Sequence, residues 1–173
     1  SSDLFCEKSP RHITYELAAQ LAPLCKIPKV AVTVDASDAE LEQITSALKP
    51  DYIQLHGQES IDRAQEIKNK FGTKLIKALS PEAKISTPQK IYDFLLFDSA
   101  GGGTGKQFDY SNFTPPSQPW FLSGGLNTEN VASAIAQTGT KFVDVSSGVE
   151  SQRGVKDIAK IKEFLAISYK SSN

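Results

Sequence analysis

Polar and glycine-rich segments follow short apolar runs along this chain, and they contain the residues whose types suit chemistry. The segments are residues 8–11, 54–57, 98, 123–125 and 144–150. In parallel α/β folds of the barrel type, catalytic groups lie at the carboxyl ends of the strands and in the loops that follow. If the apolar runs are strands, the pattern therefore predicts a site built from these segments.

Two glycine corners late in the chain, 123–125 and 146–148, favour binding of an anion. Glycine permits close approach of the backbone to a ligand, and N–H groups at a helix start attract negative charge. Barrel enzymes often bind phosphate on the loops after their last two strands. Tight turns without a ligand are the alternative, but two such corners in succession favour phosphate. The predicted phosphate-binding residues are Gly124, Gly125, Ser146, Ser147 and Gly148.

Three charged or titratable residues at predicted strand ends are candidates for catalysis or substrate binding. Asp98 ends the apolar run 94–97, where apolar surroundings favour the protonated form that a general acid needs. A capping or ion-pair role explains its position equally well. Arg11 has a planar guanidinium suited to a carboxylate, although a lone arginine is more often a surface cation. His56 is a candidate substrate ligand, and a hydrogen bond to the backbone is its simpler role.

A glycine-rich segment, 101–106, superficially resembles a nucleotide-binding loop. Its Gly-Gly-Gly-Thr-Gly-Lys sequence lacks the spacing of that motif, so we exclude nucleotide binding there. A mobile loop that closes over substrate is the favoured interpretation, and simple flexibility is the alternative. Cys6 is expected to be a buried, inert thiol, and Cys25 has no functional pattern around it.

The composition is that of an ordinary globular chain. Among 173 residues there are 19 Lys and Arg against 20 Asp and Glu, a formal net charge of −1. This balance argues against nucleic-acid binding, which needs a basic surface. No apolar run reaches the ~20 residues that cross a bilayer, and two cysteines form no disulfide framework, so we expect a cytoplasmic location. Because the chain lacks methionine, we also expect that its start has been trimmed.

Apolar runs and amphipathic stretches alternate from one end of the chain to the other. The predicted strands are 3–6, 30–34, 52–55, 74–79, 94–97, 120–122 and 142–145. The predicted helices are 13–25, 38–48, 59–71, 127–137 and 157–169, with weaker helical patterns at 81–92 and 109–119. This alternation indicates an α/β fold with a parallel sheet and right-handed crossovers.

The number of units favours a barrel over an open sheet. An eightfold barrel of ~200 residues has ~25 residues per unit, so seven units predict ~175 residues. A doubly wound open sheet is the alternative, but no glycine-rich dinucleotide fingerprint follows the first run. We therefore predict a TIM-type (β/α)8 barrel with seven of its eight strand–helix units visible, as a single domain over residues 1–173.

Six segments occur in an order that is similar to one enzyme family. They are 8–13 (KSPRHI), 54–57 (QLHG), 96–98 (LFD), 102–105 (GGTG), 122–127 (LSGGLN) and 143–150 (VDVSSGVE). In this order they resemble phosphoribosylanthranilate isomerase, and the similarity runs from that family's second strand to its last helix. The last segment, with Gly154, Lys156 and Asp157 after it, is the most specific.

The resemblance implies an isomerase of tryptophan biosynthesis that performs an Amadori rearrangement of a phosphosugar without metal or cofactor. It implies that Asp98 is the general acid, that Arg11 meets the anthranilate carboxylate, and that His56 and Asp144 line the site. The two glycine corners match the family's phosphate cradle. The implied partner is a small phosphosugar, with neither nucleic acid nor membrane, and the enzyme is expected to be a monomer or homodimer.

The general base of that family is a cysteine on the first strand, and no residue here matches it. Cys6 lies on the second strand and does not take the role, so we expect the first strand–helix unit to be missing from this sequence. A non-catalytic phosphosugar-binding barrel is the alternative. A sugar-phosphate isomerase of histidine synthesis or an indoleglycerol-phosphate synthase would need a second Asp or a Lys–Glu pair, and the sequence pattern shows no such partner for Lys77.

Overall fold

The structure, a computed structural model, describes residues 2–5, 9, 11–83, 89–98, 110 and 113–171. The chain divides into two compact units. The first unit comprises Ser1–Ala78 and Gln89–Phe94, and the second comprises Leu79–Pro88 and Leu95–Asn173. The expectation of a single domain over residues 1–173 stays a prediction.

The first unit is a parallel sheet whose strands alternate with helices. The strands are β1 (Ser2–Leu4), β2 (Val30–Thr33), β3 (Tyr52–Leu55) and β4 (Lys74–Leu79, whose last residue belongs to the second unit), and the helices are α1 (Tyr15–Leu21), α2 (Asp38–Leu48) and α3 (Ile61–Phe71). Neighbouring strands pair in chain order, with Thr33 opposite Leu55 and Leu55 opposite Lys77. Both faces of β3 and β4 are largely buried, as is typical of parallel strands covered by helices, and the buried residues include Gln54 and Lys77.

Capping residues set the ends of the helices in the first unit. Ser37 accepts a hydrogen bond from the Glu40 backbone, and the Glu40 side chain bonds back to the Ser37 N–H, which forms a capping box at the start of α2. Ser60 caps α3, and Gly72 ends that helix in the left-handed conformation with φ 63°. Leu41, Ile44 and Leu48 of α2 are buried.

The second unit contains β5 (Phe94–Asp98, whose first residue belongs to the first unit), β6 (Trp120–Ser123), α4 (Val131–Thr138) and α5 (Ile158–Ser171). β5 and β6 are parallel, with Asp98 opposite Ser123. Phe97, Phe113 and Trp120 pack their rings together, with centroids 5.0 to 5.8 Å apart. A 3₁₀ helix, Ser147–Val149, leads into a hairpin of β7 (Glu150–Gln152) and β8 (Val155–Lys156).

The structure differs from the sequence prediction in four places of the second unit. Residues 142–145, all of them described, form one parallel bridge between Val143 and Leu122 instead of a regular strand. Helix α4 begins at Val131 rather than at residue 127, because the Asn127 side chain accepts the N–H groups of Glu129 and Asn130 and stabilises a turn there. The β7–β8 hairpin was not predicted. The described residues of segment 109–119 form no α-helix.

Three further predicted features lie partly or wholly outside the described residues. Segment 81–92, expected to be weakly helical, has turns in its described residues. Cys6 and the glycine-rich segment 101–106 lie outside the described residues. Among the described residues, no helix has the length and apolar character needed to span a membrane.

Candidate active site

The end of β6 lies beside two aspartates of the second unit. Asp98 is the last residue of β5 and pairs in register with Ser123 at the end of β6. The buried Ser123 hydroxyl donates to Asp144 Oδ2 at 3.0 Å, and the Asp144 N–H donates to the Leu122 carbonyl. Both aspartates are half-buried. The structure therefore places two of the predicted site residues beside Ser123, with Asp98 in register with it and Asp144 bonded to its hydroxyl.

The first glycine corner has a backbone conformation that favours glycine. Gly124 has φ 88° and Gly125 has φ 64°, in the left-handed region where a side chain is strained. The Asn130 side-chain amide donates to the Gly125 carbonyl at 2.9 Å, and Asn130 Oδ1 accepts the Asn127 N–H. These bonds hold the corner in front of α4.

The second glycine corner lies directly against the first. A Cβ atom placed on Gly148 would lie 1.8 Å from the Leu126 carbonyl oxygen and 3.0 Å from the Asn127 Cα. Only a residue without a side chain permits this approach of two backbones. Ser146 and Ser147 are exposed beside it. The two corners that the sequence suggested for phosphate thus adjoin, and their binding of phosphate stays a prediction.

A lysine on the hairpin, Lys156, supports the second corner, and its place after the last motif of the sequence did not reveal this role. Lys156 Nζ donates to the Ser146 carbonyl at 2.8 Å and to the Ser146 hydroxyl at 3.2 Å. The same group forms an ion pair with the buried Glu150 at 3.0 Å, and Glu150 also accepts the Gly154 N–H. The glycine at position 154 was the signal in the sequence for this hairpin, because glycine readily adopts the positive φ of a tight turn, here 85°.

Arg11 and His56 belong to the first unit. The half-buried Arg11 follows β1, and its N–H donates to the Ser9 hydroxyl at 3.1 Å. The exposed His56 directly follows β3, and its N–H donates to the Thr33 carbonyl. Its ring Nδ1 lies 3.1 Å from the Gln54 amide nitrogen. Because that nitrogen is a donor, Nδ1 accepts and the proton of a neutral ring is on Nε2.

Lys77 has the acidic partner that the sequence pattern did not reveal, which corrects that expectation. Its Nζ lies 2.8 Å from Glu59 Oε2, and the two side chains are 10% and 3% exposed. Burial by itself would raise the pKa of Glu59. The hydrogen bond from Lys77 and those from the backbone outweigh it, so the pKa lies below the ordinary 4.5. The residues are 18 apart in sequence, which no local pattern joins.

The second unit thus offers carboxyl groups for proton transfer beside a corner rich in backbone N–H groups, and the first unit offers a cation and an imidazole. Among the described residues, no group of three or more His, Cys, Asp or Glu side chains is arranged to hold a metal ion.

The sequence of this chain is similar to those of known proteins. A sequence model of the N-(5'phosphoribosyl)anthranilate (PRA) isomerase family matches residues 2–166. The chain is 46% identical over 182 residues to the N-(5'-phosphoribosyl)anthranilate isomerase of Parvibaculum lavamentivorans, covering 94% of this chain and 84% of that protein. It is 40% identical over 179 residues to the enzyme of the same name from Beijerinckia indica, covering 94% and 81%.

Solved structures of these enzymes are also similar to this chain. TrpF from Jonesia denitrificans is similar with a TM-score of 0.85 and 32% identity, covering 98% of this chain and 85% of that one. A phosphoribosyl anthranilate isomerase in complex with reduced 1-(o-carboxyphenylamino)-1-deoxyribulose 5-phosphate is similar with a TM-score of 0.77 and 28% identity, covering 98% and 86%. These similarities confirm the predicted fold class, a TIM-type (β/α)8 barrel of which this chain supplies a part.

Proposed function

This chain belongs to the N-(5'-phosphoribosyl)anthranilate isomerase family, and we propose how its residues perform that family's reaction. The enzyme is an aldose–ketose isomerase of tryptophan biosynthesis. It converts N-(5-phosphoribosyl)anthranilate to 1-(2-carboxyphenylamino)-1-deoxyribulose 5-phosphate by an Amadori rearrangement. The resemblance found in the sequence is confirmed by these relatives.

Asp98 is the proposed general acid. It protonates the furanose ring oxygen, the C1–O bond breaks, and the nitrogen lone pair forms an iminium ion. A base then removes the proton from C2, the electron pair of that bond moves toward nitrogen, and the resulting enol becomes the ketose. The observation that supports this role is the position of Asp98 at the end of β5, half-buried and opposite Ser123, which bonds to Asp144. The general base is not assigned to any residue here.

The two glycine corners are the proposed phosphate site. Gly124, Gly125, Ser146, Ser147 and Gly148 contribute backbone N–H groups and hydroxyls, which are donors suited to an anion. The contact of Gly148 with the Leu126 carbonyl supports this role, because it brings the two sets of donors together. Asp144, joined to Ser123, connects this phosphate site to the strand ends that carry the acid.

Arg11 and His56 are the proposed ligands of the rest of the substrate. Arg11 would pair with the anthranilate carboxylate, for which a guanidinium has matching geometry. His56, with its ring held by Gln54, would donate from Nε2 to the substrate. We also propose a cytoplasmic location, and a monomer or homodimer that acts on this small phosphosugar.

Asp98→Asn in the full chain tests the assignment of the acid. General acid–base groups contribute ~10²- to 10⁴-fold to rate, so we expect kcat to fall by at least about 100-fold, measured by the loss of substrate fluorescence. Affinity for reduced 1-(o-carboxyphenylamino)-1-deoxyribulose 5-phosphate, measured by calorimetry, should stay within about threefold, since the amide replaces the acid without changing its size.

Asp62→Asn is the matched control, because Asp62 is an exposed carboxyl group in the first turn of α3 and should leave both quantities unchanged. Retention of most of the activity by Asp98→Asn would remove this residue from the acid role. An unmodified full-length protein that binds the analogue but does not consume substrate would favour the non-catalytic phosphosugar-binding alternative.

A further inference from the structure

A buried ion pair lies behind the loop that follows β3 in the first unit. Lys77 Nζ donates to Glu59 Oε2 and to the Gly57 carbonyl, each at 2.8 Å. Glu59 in turn accepts the Asp35 N–H at 2.9 Å and the Gly57 N–H at 3.0 Å. One pair of side chains therefore fixes backbone groups from the loop after β2 and the loop after β3.

The two loops are also locked directly to each other. Asp35 Oδ1 accepts the Gln58 N–H at 2.7 Å. A Cβ atom on Gly57 would lie 2.4 Å from the same carboxylate oxygen, so this approach needs glycine. Asp35 has φ 49°, a left-handed conformation that aspartate adopts at a small cost and that surrounding bonds must maintain. The Asp35–Glu59 bond is one of them.

The ion pair and His56 lie on opposite sides of the strand. Successive side chains of a strand point to opposite faces, and Lys77 is in register with Leu55. His56 is next along the chain and bonds to Gln54, which places its ring on the face away from Lys77. The pair bonds to the backbone of Gly57, the residue directly after His56.

Stability alone is a poor explanation for this arrangement. Removing two charges from water has a large free-energy cost, and apolar side chains of similar size often stabilise a fold as well as a buried ion pair does. What the ion pair supplies that apolar side chains do not is hydrogen bonding to the Gly57 and Asp35 backbone. Its specific effect is on the geometry of the loop.

We propose that Glu59 and Lys77 are positioning residues that hold His56 in the orientation needed to bind substrate. The inference rests on the proposed function, in which His56 is a substrate ligand. Neither Glu59 nor Lys77 contacts the substrate in this scheme. Their removal should therefore change substrate binding only through His56.

The experiment compares Glu59→Gln, Lys77→Met and His56→Ala in the full chain, with reduced 1-(o-carboxyphenylamino)-1-deoxyribulose 5-phosphate as the probe. Loss of one oriented hydrogen bond corresponds to about a three- to tenfold loss of affinity, and we expect this for each variant. KM should rise in proportion, while kcat changes by less than about twofold. Combining Glu59→Gln with His56→Ala should cause no further loss, because the pair acts through the imidazole.

Lys68→Met is the matched control. Lys68 pairs with Asp93 at 3.3 Å, and Asp93 bonds to the N–H of Leu75 near the start of β4, at the opposite end of that strand. This variant should lose stability in urea without losing affinity. NMR signals of the Gly57 and Gln58 amides and of the His56 ring give a second readout that needs no ligand, and they should shift in Glu59→Gln but not in Lys68→Met.

Unchanged loop and ring signals in Glu59→Gln would overturn the proposal, as would additive losses in the double variant. A folded Glu59→Gln chain with normal affinity would overturn it too. If His56→Ala itself binds the probe normally, the positioning role falls together with the assignment of His56. Turnover of phosphoribosylanthranilate by the unmodified chain tests the family reaction separately.

Discussion

Replacement of Gly148 by alanine is the most direct test of the phosphate site. The new methyl group would lie 1.8 Å from the Leu126 carbonyl oxygen, and real Cβ contacts are essentially never shorter than 3.0 Å. One corner must therefore move away from the other by about 1.2 Å. The obstacle is backbone, which has no rotamer to change, so the displacement is imposed on the corners themselves.

The expected magnitude follows from that displacement. Forcing an extra methyl group into a packed site costs ~1–3 kcal/mol of stability. A shift of about 1 Å also breaks a hydrogen bond to an anion, because such bonds are ~2.7–2.9 Å long. Each hydrogen bond to a charged group contributes ~1.5–3 kcal/mol. We therefore expect Gly148→Ala to bind reduced 1-(o-carboxyphenylamino)-1-deoxyribulose 5-phosphate about 10- to 100-fold more weakly in calorimetry.

Gly139→Ala is the control for general destabilisation. Gly139 ends α4 with φ 66° and has nothing within 4 Å of its added Cβ. It should lose ~1–2 kcal/mol of stability from the left-handed conformation alone and keep normal affinity. The affinity for inorganic phosphate, measured by competition with the analogue, should fall in Gly148→Ala to a similar extent as the affinity for the analogue. Normal affinity in a folded Gly148→Ala chain would refute the assignment of these corners to phosphate.

Three further predictions concern stability in the first unit, each measured by urea unfolding. Hydrogen bonds lower the pKa of Glu59 despite its burial, so the ionised group stabilises the fold above about pH 4.5, and this contribution is lost as pH falls through the folded-state pKa. Glu59→Gln should therefore lose less stability between pH 7 and pH 4 than the unmodified chain does. An equal loss in the two proteins would contradict the lowered pKa. Ser37→Ala should cost ~1 kcal/mol through loss of the α2 cap, whereas the exposed Ser46→Ala should change little. Leu41→Ala should cost ~2–5 kcal/mol because its side chain is fully buried, and a cost below about 1 kcal/mol would show that the site is not packed as described.

Elements whose signals are local were predicted with their observed bounds. The runs Tyr52–Leu55 and Lys74–Leu79 and the helix Asp38–Leu48 have these bounds in the structure. Each is a short apolar or amphipathic segment whose ends depend on nearby residues. The segment 142–145 has equally apolar residues but forms one bridge, because strand length depends on a partner elsewhere in the chain.

For the same reason, some candidate site residues were predicted from the sequence and others were not. Asp98, Asp144 and the glycine corners belong to contiguous motifs, which can be compared directly with the motifs of a family. Glu59 was missed, since its partner Lys77 is 18 residues away and meets it through strand register. Lys156 was missed as a support of Ser146 because a hairpin has to fold first.

The order of most strands and helices, the fold class and the kinds of side chain at the strand ends can be predicted from the sequence. Hydrophobic periodicity and helix capping act over a few residues, so they can be recognised in the sequence. The contact of Gly148 with Leu126 and the bond of the buried Lys77 to the loop after β3 are visible only in the folded chain. Such contacts join residues distant in sequence, and their free energy depends on packing that no linear pattern encodes.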